Sequence, residues 1–186
     1  MEYEYIKKVY YSNLYDIKNI EENIQLVVLS CIGFFLPFIL GHPQILIGTI
    51  VNAMLILGAT YLKGHKMLPL ILLPSLGVMA AGILFGTYTL YLLYLIPLIW
   101  LGNALYVYTY KYFNIREKKF KNNLLGVGVA SVLKAALLFG ATFILVQLSV
   151  LPAMFLTAMG VLQISTAILG GILAVGIVKT RERVAG

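Results

Sequence analysis

Nearly all of the positive charge in this chain falls on one side of six apolar runs, and that alternation limits the fold more than any other feature. The runs read at roughly 24–40, 45–62, 67–86, 88–110, 123–148 and 152–178. Residues 1–23 carry Lys7, Lys8 and Lys18, and the turn at 63–66 carries Lys63 and Lys66. Segment 111–121 carries Lys111, Arg116, Lys118, Lys119 and Lys121, and the tail carries Lys179, Arg181 and Arg183. The turns near 41–44, 86–88 and 149–151 carry none. Basic residues in short loops mark the cytoplasmic face of a membrane. The pattern therefore predicts an all-α integral protein of the cell membrane, a six-transmembrane-helix bundle with both termini cytoplasmic. Thirteen of the 14 basic residues fit that scheme. The remaining one, Lys134, falls in the middle of the fifth run.

Composition agrees. Hydrophobic residues make up 61% of the chain and the mean hydropathy is +0.92, against about 45–50% apolar residues in soluble domains. Each run is long enough to cross a hydrocarbon core of about 30 Å at ~1.5 Å per residue. A net charge of +7 would suggest nucleic acid in a soluble protein; here the charges face the anionic cytoplasmic leaflet and set orientation, so no nucleic-acid partner is expected. Cys31 is alone, which rules out an intrachain disulfide, an iron–sulfur cluster and a thiolate metal site within this chain. The 23 mostly polar residues before the first run argue against a cleavable leader. Three parts are expected: a cytoplasmic amphipathic segment (1–23), a six-helix membrane domain (24–178) and a basic cytoplasmic tail (179–186).

In the first part Tyr3, Ile6, Tyr10, Leu14, Ile17, Ile20 and Ile24 recur at helical spacing, with most charges off that stripe. The spacing predicts an N-terminal amphipathic helix lying on the cytoplasmic membrane surface. A partly ordered polar leader and a docking surface for a cytoplasmic partner stay open as alternatives. Pro74 and Pro97 fall inside runs, where each removes a backbone donor; both are candidates for kinks, lining a cavity or serving packing alone. Small residues recur four apart at Gly77/Ala81, Gly82/Gly86, Ala136/Gly140, Ala167/Gly171 and Gly170/Ala174, a spacing that lets helices approach closely. Most should pack within the bundle, and those of the sixth run are also candidates to meet an external helix.

Polar side chains within a bilayer are costly and turn to the bundle interior. Counting along each run puts Asn52, Asn103, Lys134 and Gln163 at intermediate depth. A mid-span lysine costs about 2.5–3.5 kcal/mol on insertion scales unless it finds a partner. All seven acids, Glu2, Glu4, Asp16, Glu21, Glu22, Glu117 and Glu182, read as outside the spans. Lys134 is therefore expected either as an uncharged amine or as the counter-charge for an anion such as a carboxylate or phosphate. Proton relays and cation-coupled carriers use intramembrane Asp, Glu or His, and the runs offer none. No H-E-x-x-H, G-x-S-x-G or G-x-x-x-x-G-K-[ST] motif occurs, so neither an enzyme nor an ATPase is expected, nor any cofactor or metal. On the outer face Gly41, His42, Pro43 and Gln44 form the first turn, and Tyr88, Tyr91 and Tyr94 suit an interfacial aromatic belt or a cavity roof.

The segments Gly48-Thr49-Ile50-Val51-Asn52-Ala53, Leu73-Pro74-Ser75-Leu76-Gly77 and Ile96-Pro97 through Gly102-Asn103-Ala104 resemble those of small uncharacterised six-span prokaryotic membrane proteins, some of which carry the label iron hydrogenase. A single cysteine makes that label chemically untenable for this chain. More distantly, length, span number, internal termini and short outer loops are similar to the S components of energy-coupling-factor vitamin transporters. That resemblance implies capture of a small, vitamin-like solute from outside, with a transmembrane coupling subunit and cytoplasmic ATPases supplying energy. S components engage the coupling subunit through an A-x-x-x-A face on the first span. Here Ser30 and Phe34 stand at that spacing beside Gly33, so the last run's small residues are the alternative. The expected function is membrane-embedded binding of a small anionic metabolite. Lys134 supplies the counter-charge, Asn52, Asn103 and Gln163 the hydrogen bonds, Trp100 an apolar wall, and His42 with Gln44 a gate. The competing expectation is a structural scaffold subunit of a larger membrane complex, perhaps a redox one, with no ligand of its own.

Overall fold

The computed structural model describes residues 2–15, 17–40, 42–82, 86–115 and 119–185, and these are helical with no strand among them. Asp16, Gly41, Arg116, Glu117 and Lys118, which entered the charge and turn assignments above, lie outside the described residues. The order is α1 (Glu2–Tyr11), α2 (Asn19–Leu40), α3 (Gln44–Tyr61), a 3-10 turn (Gly64–Met67), α4 (Leu68–Ala81), a second 3-10 turn (Gly86–Tyr91), α5 (Leu92–Asn114), α6 (Phe120–Gln147), α7 (Met154–Met159) and α8 (Val161–Ala185). Six stretches are long and apolar enough to cross a membrane: Asn19–Leu40, Gln44–Tyr61, Gly64–Ala81, Tyr88–Asn114, Phe120–Gln147 and Met154–Val184. The chain is thus a multi-pass helical protein of membrane type.

The spans close into a ring, α2 against α4, α4 against α5, α5 against α6, α6 against α8, α8 against α3 and α3 against α2, with α3 also touching α5. Glycines set the closest approaches. A Cβ on Gly77 would sit 2.3 Å from the Phe34 carbonyl oxygen, and one on Gly170 would sit 2.4 Å from the Thr49 carbonyl oxygen. Gly33 likewise abuts Met54 and Pro74. The small faces of α2 and of α8 (Ala167, Gly170, Gly171, Ala174) are consumed inside the ring. The glycines with open space around them are Gly128 and Gly140 on α6 and Gly176 on α8, besides Gly82.

Four boundaries differ from the sequence reading. The N-terminal stripe does not form one helix. It breaks after Tyr11, because the backbone N–H groups of Leu14 and Tyr15 donate to the Thr60 carbonyl at 2.9 and 3.2 Å, a tertiary claim on donors that helix continuation would need. Val9 and Leu14 turn inward while Tyr3 and Ile6 stay exposed. The third span ends at Ala81, where Gly82 (φ 59°) takes the left-handed cap conformation that suits glycine. The sixth is two helices, interrupted at Gly160. Finally, Glu22, read as outside the spans, lies in the first turn of α2 and is 1% exposed.

Both ends of the chain meet at one end of the ring. Tyr15 donates its hydroxyl to Glu182, Arg181 lies 3.7 Å from Glu21, and Tyr5 donates to the Tyr112 carbonyl at 2.7 Å. Glu22 accepts from Lys66 Nζ at 2.7 Å and from the Lys63 N–H at 3.2 Å. Lys111, assigned above to a connecting segment, is fully buried in the last turn of α5 and donates to the Leu62 carbonyl at 2.9 Å. That carbonyl caps α3 at the negative end of its dipole, so the amine's hydrogen-bond acceptor is a backbone oxygen rather than a carboxylate.

Candidate functional site

In the half of the ring away from both termini, α2 through α5 and α6 through α8 surround a cavity with about 110 Å³ available to the centres of water-sized molecules. One water needs only about 10–15 Å³ by the same measure, so there is room for a small solute. Lys134, Asn52, Asn103, Gln163 and Gln44 all line it. Trp100 and His42 do not. Trp100 stands behind the wall and His42 is exposed in the first turn.

The cavity has a polar floor and apolar sides. On α3, α5, α6 and α8 the lining residue nearest the termini is Asn52, Asn103, Lys134 and Thr166 respectively. Ile47, Val51, Ile96, Ile99, Met159 and Leu162 make up much of the wall. Pro37 and Pro74 also line it, whereas Pro97 faces outward, so the kink expected there belongs to the lipid-facing side.

Packing explains how Asn52 comes to the lysine. Gly48 and Gly170 let α3 and α8 press together, with Thr166 Cγ2 at 2.9 Å from where a Gly48 Cβ would be. Asn52 Nδ2 then donates to the Gly48 carbonyl at 2.8 Å and to Thr166 Oγ1 at 3.2 Å. Held from both sides, its Oδ1 faces α6 and accepts from Lys134 Nζ at 2.6 Å. Lys134 is 2% exposed and its Nζ lies 5.3 Å from the Tyr106 ring centroid, a cation–π distance. Among the described residues Asn52 Oδ1 is the one oxygen that this amine bonds, and no carboxylate lines the cavity.

The far wall rests on the backbone of α4. Pro74 supplies no N–H to the preceding turn, and carbonyls in that turn accept from α5: Ile71 from Asn103 Nδ2 at 3.0 Å and Leu72 from Trp100 Nε1 at 3.3 Å. Trp100 Nε1 also donates to Ser75 Oγ at 2.8 Å. The tryptophan thus braces the kink. Two polar lining residues, Thr166 and Ser75, were not among the expected site residues. Thr166 stands three residues after Gln163 on one helix face, a spacing that could have revealed it. Ser75 sits within a quoted segment and had no signal of its own.

Comparison with protein-family models, with curated proteins and with solved structures finds no match to this chain.

Proposed function

We propose that this chain is the membrane-embedded binding component of an uptake system for a small anionic solute, energised by other subunits. The observation that carries the reading is Lys134: a buried amine on a cavity floor, bonded to one neutral oxygen, with no acid among the cavity residues. An ammonium so placed lacks a counter-charge, and a bound anion would supply it. The basic residues cluster at the end holding the termini, and the positive-inside rule supports a cytoplasmic position for that end, with the cavity opening toward the outer half.

The test uses the full chain in lipid nanodiscs, with anion binding read by native mass spectrometry and thermal protection. Lys134→Met keeps the stem and removes the charge; it should eliminate protection by anions while leaving helicity and monodispersity intact. Equal protection of both proteins overturns the reading. A wild-type chain that binds no anion and aggregates without partners supports the scaffold alternative.

A further inference from the structure

The hydrogen-bond inventory of the cavity restricts which anion fits. This step rests on the binding function proposed above. Thr166 Oγ1 accepts from Asn52 and donates to the Leu162 carbonyl at 2.7 Å. Ser75 Oγ accepts from Trp100 and donates to the Leu72 carbonyl at 2.9 Å. Both hydroxyl protons are spent. Asn52 is spent too, with Nδ2 on Gly48 and Thr166 and Oδ1 on Lys134. It positions the amine.

What remains is small and asymmetric. Lys134 keeps two of the three donors of an ammonium. Asn103 has given its Nδ2 to Ile71, and its Oδ1 has no protein donor among the described residues; it is not one of the sealed, unpartnered oxygens, which are Ser30 Oγ, Asn114 Oδ1 and Thr142 Oγ1. It is therefore an acceptor open to the cavity. Gln163 and Gln44 line the cavity with side-chain amides that have no hydrogen-bond partner among the described residues, and they can serve either role.

We infer that the cavity takes a singly charged carboxylate whose short apolar body carries a hydroxyl or amide N–H, the carboxylate on Lys134 and the N–H or O–H on Asn103 Oδ1. One cation meets one negative charge. A second negative charge would be buried without a partner, as in a dicarboxylate or a phosphate monoester. The ammonium of an amino acid would lie near Lys134 with no acid to meet it. A body with no donor leaves Asn103 Oδ1 desolvated and unpaired, which costs affinity.

The experiment measures binding to the full chain in nanodiscs by calorimetry, with β-hydroxybutyrate, butyrate, succinate and γ-aminobutyrate as matched probes. β-Hydroxybutyrate should bind most tightly, with butyrate weaker by about tenfold and the dianion and zwitterion weaker still. Asn103→Leu should bring the ratio of β-hydroxybutyrate to butyrate affinity close to one, whatever it does to each affinity alone, a change in ratio that a merely structural asparagine would not give. Tightest binding of succinate or γ-aminobutyrate overturns the ligand class and leaves anion or solute binding standing. An unchanged hydroxyl preference in Asn103→Leu overturns the role of that residue. Absence of binding by every probe overturns both this inference and the function on which it rests.

Discussion

Among the described residues three charged side chains are buried, with three different solutions, and they make different predictions. Lys111 meets a helix-terminal carbonyl, Glu22 meets Lys66, and Lys134 meets a single amide oxygen. Removing one partner of a buried ion pair leaves the other charge stranded, typically at 3–5 kcal/mol. Because Lys66 is partly exposed, Lys66→Met should cost about 3 kcal/mol, near the low end. Glu22→Gln should cost less, although its single amide oxygen replaces only one of the two accepting carboxylate oxygens, because the ammonium left behind is partly exposed and keeps Asn23 Oδ1 at 2.8 Å; thermal unfolding in detergent separates the two. Lys134 and Asn52 were legible in the sequence because a polar group near mid-span has few ways to exist. Glu22 and Lys111 were not, because they stand at span borders. There a shift of one turn decides between solvent and core, and counting residues carries no information on helix rotation or on which neighbour covers the end.

Among the elements, α3 and α8 share the most extensive joint, and it is the one that sets the floor of the cavity. Gly170→Ala would place a Cβ 2.4 Å from the Thr49 carbonyl oxygen and 2.8 Å from Asn52 Cβ. The two helices must then part and shift Asn52 away from Lys134, so anion affinity and thermal stability should fall together. Gly140→Ala is the control. Its Cβ meets open space, and alanine is worth about 0.5–1 kcal/mol over glycine inside a helix, so a small gain in melting temperature with unchanged binding is expected. The six apolar runs were readable from hydropathy, but the interruption at Gly160 was not. An apolar stretch hides a break when the residues on both sides remain equally apolar, and here only the packing of the Gly160 backbone against Phe139 marks it, with a Cβ there 2.8 Å from that ring. The N-terminal stripe failed for the opposite reason: its periodicity was genuine, but Thr60 drew two backbone donors out of the helix.

At the scale of the whole molecule, the terminal end is tied by Tyr15 and Glu182, residues near opposite ends of the chain. Burial, and then the hydrogen bond to Glu182, raise the Tyr15 hydroxyl above its ordinary value of 10.0. The folded chain then keeps this proton at a pH where the unfolded chain has lost it, so the stabilisation is whole below pH 10 and declines as pH climbs above it. Tyr15→Phe should make that alkaline decline shallower, measured by chemical unfolding across the range. The cavity lies between two apolar clusters. One holds Leu55, Ile56, Leu62, Met67 and Tyr110 toward the termini, and the other holds Leu92, Leu95, Leu138 and Phe155 toward the far end. The first cluster is a stopper beneath the floor. If the proposed function holds, a solute on Lys134 faces this packed cluster of described residues, so vesicles carrying this chain alone should remain tight to that solute, and the protein by itself would be a cup rather than a pipe.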